Sequence, residues 1–173
     1  MTAVQTADVD DPSAPDLADP STRGPLGGRR AVLAAVLVGG LLRLVWVIWA
    51  TRTPPFPTDP SEYIRIALEL SEGTSPRFGG VGDPSAYWSP GYPLVLSPFV
   101  WFADRTGLLS PAFAASLVNV AAGMLTIWLT ALLAERWIGT RTKVTAAWLV
   151  ALWPSLIFYS STAHTETVFT PVL

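Results

Sequence analysis

The sequence predicts an all-α, polytopic membrane protein whose transmembrane helices carry a long extracytoplasmic loop with short interfacial helices. Three observations predict it. The 173-residue chain is 50% hydrophobic but only 14% charged, against roughly 25% charged residues in a soluble domain. Its apolar residues gather into runs, and a run of about 20 residues crosses a bilayer. The cations cluster at one end of these runs, which fixes an orientation. A mean hydropathy of +0.41 and eight tryptophans agree with interfacial aromatic anchoring. The chain has no cysteine, which excludes a disulfide framework, a thiolate metal site and a thiol nucleophile. A net charge of -2 specifies no partner, and nucleic acid is not among those expected.

Residues 1–28 are rich in Asp, Pro, Ala, Ser and Thr without a periodic apolar face. Such a segment buries too little apolar surface to offset the entropy of ordering, so a disordered cytoplasmic tail is expected. Residues 31–50 form the first span, AVLAAVLVGGLLRLVWVIWA. The run is too long for a signal peptide and no small-residue cleavage site follows, so it reads as a retained anchor. Arg23, Arg29 and Arg30 precede it and put the N-terminus inside.

The next cationic cluster is Arg136, Arg141 and Lys143, which is also cytoplasmic by the same rule. An even number of crossings must separate the two clusters. Residues 112–134 supply the return crossing. Pro93–Ala103, with only 11 residues and Pro98 among them, stays outside as a re-entrant or interfacial helix. Residues 51–111 then form one outer loop. Residues 144–160 make a third span in which Pro154 removes a backbone hydrogen bond and kinks the helix. The carbonyl so freed needs a neighbour or water. A fourth span starts at residue 167, and the chain is expected to be the N-terminal part of a longer protein. Asp59, Asp83, His164 and Glu166 all fall on the outer side.

Asp59-Pro60-Ser61-Glu62 is a helix start: Asp as N-cap, Pro at the first helical position, Glu completing a capping box. Tyr63, Ile66, Ala67 and Leu70 follow at helical spacing, Arg65, Glu69 and Glu72 lie largely opposite, and Gly73 ends the helix. This amphipathic helix suits the membrane interface. Asp59 either caps it or, as an ionised carboxylate, orients an acceptor hydroxyl and takes its proton. Gly79-Gly80-Val81-Gly82 lacks the context of a phosphate loop and reads as a mobile segment.

The order Asp59-x-x-Glu62-Tyr63, Gly73, Trp88-Ser89-Pro90-Gly91-Tyr92-Pro93, Glu135-Arg136-Trp137-Ile138-Gly139, Trp153-Pro154-Ser155-Leu156-Ile157 and an outer Glu166 resembles GT-C superfamily glycosyltransferases. The nearest branch is the protein O-mannosyltransferase and aminoarabinose-transferase type, and the resemblance covers roughly residues 30–173. It implies transfer of a hexose or mannose from a polyprenyl-phosphate donor at the outer face of the cell membrane. The acceptor would be a protein, glycan or lipid hydroxyl, no cofactor is certain, and a divalent metal is left open. By this resemblance Asp59 is the base or acceptor-orienting group, and Glu166 is the nearest match to a second acid.

Five further side chains are candidate binding groups. Arg43, inside the first span, either snorkels to the outer headgroups or faces a lipid phosphate or Asp59. Tyr63, Trp88 and Tyr92 hold sugar or lipid, with interfacial anchoring the alternative for Trp88, Tyr92 and Trp101. His164 either contacts carrier phosphate or belongs to a polar turn capping the fourth helix. His164 and Glu166 are too few to specify a metal. A transporter or channel subunit, and an inactive membrane fragment, are the rival readings of the whole chain.

Overall fold

The structure, a computed structural model, describes residues 25–51, 59–74 and 89–172. The described residues are helical throughout, joined by turns. Helix α1 spans Pro25–Ala50, α2 Asp59–Ser71, α3 Gly91–Thr106, α4 Pro111–Trp137, α5 Thr142–Leu152, α6 Pro154–Phe158 and α7 Thr165–Phe169, with 3-10 turns at Tyr159–Ser161 and Thr170–Val172. Two segments, Gly28–Ala50 and Pro111–Trp137, are long and apolar enough to cross a membrane. At about 1.5 Å per residue both exceed a hydrocarbon core of about 30 Å. Leu37, Leu41 and Val45 on α1, and Leu125, Trp128 and Leu132 on α4, are exposed, as a lipid-facing surface requires. This is the build of a membrane protein.

Helices α1, α4 and α5 pack on small side chains. Ala35, Ala131, Ala147 and Ala151 are buried with Val32 and Ile127, and small residues let helix backbones approach where lipid supplies no hydrophobic drive. At one end, Gly28 lies against the Lys143 side chain, and Lys143 Nζ binds Glu135 at 2.6 Å. At the other end, Trp46 Nε1 donates to the Phe158 carbonyl and to Ser161 Oγ, each at 3.1 Å. The C-terminal end of α1, the N-terminal end of α4 and residues 158–169 therefore share one end of the bundle.

Several boundaries differ from the sequence expectation, each for a local reason. Helix α1 starts at Pro25, inside the segment expected to be tail; a proline suits a first helical position because its missing N–H would be unpaired there anyway. Residues 1–24 lie outside the described residues. Helix α3 runs for 16 residues rather than 11 and begins at Gly91, so Pro93 sits inside its first turn. The first four N–H groups of a helix have no intrahelical partner, and Pro93 loses nothing by lacking one. Helix α4 also starts early, with Ser110 Oγ accepting from Phe113 N at 3.2 Å and Pro111 behind it.

The third apolar segment bends at Pro154 as expected, and the bend is a full break in the helix. It is broken at Trp153 into α5 and Pro154–Ser161, bent by 54°. The segment expected to begin a fourth span at 167 starts instead at Thr165 and gives way to a 3-10 turn at Thr170.

Candidate functional site

Helix α2 is amphipathic as its spacing predicts. Ile66 and Ala67 are buried, and Gly73, with φ of 73°, turns the chain out while Thr74 N donates to the Glu69 carbonyl. Glu62 does not form the expected capping box. Its carboxylate takes Arg65 Nη2 at 2.8 Å and Nε at 3.1 Å, and Arg65 also pairs with Glu69. Desolvation opposes the charge on Arg65, but the hydrogen bonds and fields of Glu62 and Glu69 outweigh it and raise its pKa. Such half-exposed helical pairs contribute about 0.2–0.5 kcal/mol each. Asp59 is the first residue of the helix; its side chain lies outside the described residues, as do Trp88, Asp83 and the glycine-rich segment.

The buried face of α2 meets α3. Tyr63 packs edge-on against Tyr92, ring centroids 5.4 Å apart, a favoured aromatic geometry. Tyr92 is fully buried and its hydroxyl donates to Asn119 Oδ1 of α4 at 3.0 Å. Burial, the main cause, raises the Tyr92 pKa; the Asn119 contact opposes this and Tyr63 adds to it. Tyr92 is thus a core residue rather than an open stacking platform. Ala67, Tyr92, Leu96, Val100, Ala115 and Ala163 form one cluster, flanked by Tyr63, Ile64, Leu68, Val118 and Val168. Ala163 and Val168 bracket His164-Thr165-Glu166, so the residues flanking this turn join the same cluster as Tyr63 and Ala67 of α2.

Within that turn, His164 takes the N-cap position of α7 but its side chain makes no capping bond. Its ring lies edge-on to Tyr159 at 5.7 Å, and its buried Nδ1 finds no hydrogen-bond partner among the described residues. Glu166 is exposed and its Oε2 accepts from Thr165 Oγ1 at 3.1 Å.

Arg43 is buried, 1% exposed, so it does not snorkel. Its Nη1 donates to the Gly39 carbonyl at 3.0 Å and the Ala151 carbonyl at 3.1 Å, and Nη2 donates to the Val150 carbonyl at 3.2 Å. Val150 is four residues before Pro154, whose missing N–H removes the regular helical donor to that carbonyl; the Trp153 N–H reaches it only at 3.5 Å. The partner required by the sequence is therefore Arg43. Only Nε remains without a partner; it faces Gly123, where a Cβ would fall 2.7 Å away. Arg43 also lines a small cavity of about 50 Å³ whose rim includes Thr126, Tyr159, Glu166 and Thr170.

A larger cavity of about 440 Å³ lies between α3 and α4, walled by Pro98, Phe99, Phe102, Leu109, Leu117 and Val118 among other apolar side chains. No cluster of three or more His, Asp or Glu side chains occurs among the described residues. Comparison with known proteins found no matching family model, no matching curated protein and no matching solved structure.

Of the residues singled out from the sequence, Tyr63 and Tyr92 touch, and the segment of His164 and Glu166 adjoins their cluster. Arg43 sits deeper, at the α5–α6 break. Asn119, which no motif marks, joins the two halves; its only sequence signal is an amide within an otherwise apolar span.

Proposed function

We propose that the chain works in a membrane glycosyltransferase that moves a hexose or mannose from a polyprenyl-phosphate donor to an acceptor hydroxyl at the outer membrane face. One observation carries this. Tyr63, Ile64, Ala67 and Leu68 of α2, downstream of Asp59, and Ala163 and Val168 on either side of Glu166 belong to a single apolar cluster at one end of the two long apolar helices. This supports a site built from the helix that Asp59 begins and the segment that bears Glu166, about a hundred residues apart in sequence. The resemblance of their motifs to GT-C glycosyltransferases assigns them matching roles.

In the proposed reaction the acceptor oxygen attacks the anomeric carbon. The bond from that carbon to the phosphate oxygen breaks, and polyprenyl phosphate leaves with the electron pair. The acceptor proton passes to the Asp59 carboxylate, which also orients the hydroxyl. Glu166 serves as a second acid, and His164 and Trp88 bind donor phosphate and sugar. The apolar cavity beside α3 has the size and lining of a hydrophobic ligand site and suits the prenyl chain. Arg43 and Tyr92, both buried and engaged, support the site from beneath.

The break between α5 and α6 favours a second reading, a transporter, because broken helices offer freed carbonyls to ions. Here Arg43 already occupies the Val150 and Ala151 carbonyls, which favours the transferase. Membranes containing the protein, supplied with radiolabelled polyprenyl-phosphate mannose, should pass label to a hydroxyl acceptor. Label transfer no higher than in membranes lacking the protein, with solute uptake into reconstituted vesicles, would replace the transferase with a transporter.

A further inference from the structure

Asn119 is fully buried in the outer half of α4, where a primary amide is costly unless its groups are paired. Both ends are paired. Oδ1 accepts from Tyr92 Oη at 3.0 Å, and Nδ2 donates to the Thr162 carbonyl at 2.7 Å. The amide can stand only this way round, because a carbonyl offers no proton and Oδ1 could not face Thr162. One turn earlier on the same helix, Ser116 Oγ bonds the Ala112 carbonyl at 3.0 Å and approaches the Ser161 carbonyl at 3.5 Å. Helix α4 therefore holds the chain at residues 161–162 just before it enters His164-Thr165-Glu166. On its other side Asn119 holds Tyr92, against which Tyr63 of α2 packs.

Among the described residues no other side-chain hydrogen-bond path runs from α3 through α4 to this turn. Apolar contacts alone fix the spacing of two elements less tightly than a pair of directional bonds, since dispersion is non-directional and hydrogen bonds weaken steeply off axis. We infer that Asn119 is a positioning residue: its amide sets the outer-loop helices α2 and α3 against the Glu166-bearing turn, and so sets the separation of the two acidic elements. The functional arm of this inference rests on the proposed transferase activity.

Asn119→Leu keeps the volume and removes both bonds, so a residue that only filled space would tolerate it. Tyr92→Phe removes one bond and leaves the amide in place. The chain has no cysteine, so spin labels can be placed at Leu94→Cys on α3 and Thr170→Cys after α7, both exposed. In membranes, the distance distribution between them should broaden or shift in Asn119→Leu and, to a smaller degree, in Tyr92→Phe, with insertion unchanged. The turnover number for sugar transfer should fall by about 10²-fold in Asn119→Leu, the cost of a displacement of about 1 Å, while KM for the lipid-linked sugar stays within about twofold. An unaltered distance distribution in Asn119→Leu overturns the inference whatever the activity does. An altered distribution in a protein whose parent transfers no sugar upholds the positioning role and removes the transferase reading instead. Equal loss in turnover and KM with an unaltered distribution also counts against positioning.

Discussion

The Arg43 guanidinium donates to the Ala151 carbonyl at 3.1 Å across 108 positions of sequence. With the Val150 bond, it closes the end of α5 where Pro154 prevents the helix from continuing. The negative end of the α5 dipole meets a cation there, and a charge expensive in hydrocarbon acquires a fixed structural use. Arg43→Met should leave the buried Ala151 carbonyl without its Arg43 donor and the Val150 carbonyl with only the long Trp153 N–H bond, at about 1–3 kcal/mol for a buried unsatisfied group. Pro154→Ala restores an N–H for Val150, so the same substitution in that background should cost at least about 1 kcal/mol less. Unfolding midpoints of the four proteins in detergent check this, and equal losses in both backgrounds would separate Arg43 from the break.

Room for Arg43 comes from Gly123. A Cβ there would fall 2.7 Å from Nε and 2.9 Å from Cδ of a side chain already held by three carbonyls. Gly123→Ala should therefore destabilise by about 1–3 kcal/mol, the usual cost of overpacking, despite the higher helix propensity of alanine. The same measurement reads it, and a stabilised variant would show that Arg43 has another place to go.

The break at Pro154 and the need for a donor to its freed carbonyl were legible in the sequence; the identity of the donor was not. Arg43 and Val150 meet only once α1 packs on α5, and a pairing at that separation leaves no periodic trace. The amphipathic face of α2 and the two long apolar helices were legible because a single period specifies each. Helix ends were less so. Pro25, Pro93 and Pro111 look like helix breakers in a one-dimensional pattern, yet each sits in a first turn, where a missing N–H is harmless. Asn119 stood out only as a polar side chain in an apolar run, and its bridge to Tyr92 and Thr162 required the fold. Asp59 and Trp88 rest on motif order alone.

Helix α2 should be held to α3 by its apolar face. Ile66, 3% exposed, loses about 1.5–3 kcal/mol of burial when replaced by Asp, and protease cleavage of the segment that carries α2 should accelerate accordingly. Glu72→Gln, at an exposed site, should leave cleavage unchanged. Limited proteolysis of membranes compares the two, and equal acceleration would argue against an amphipathic seat.

Thr74 and Thr140 are both exposed and lie at opposite ends of the proposed topology. In intact cells a cysteine at Thr74 should react with an impermeant thiol reagent, and one at Thr140 should react only after the membrane is opened. The reverse pattern would invert the orientation drawn from the cationic clusters.

The central claim, that Asp59 serves sugar transfer at the outer face, is tested most directly by Asp59→Asn in membranes. Asparagine has nearly the shape of aspartate at this first position of α2, so the helix and membrane insertion should be retained while the proton acceptor is lost. Transfer from a polyprenyl-phosphate sugar, normalised to inserted protein, should fall by about 10²–10⁴-fold, the usual contribution of a general base. Near-normal transfer by Asp59→Asn would contradict the claim and reduce Asp59 to a residue of the helix start.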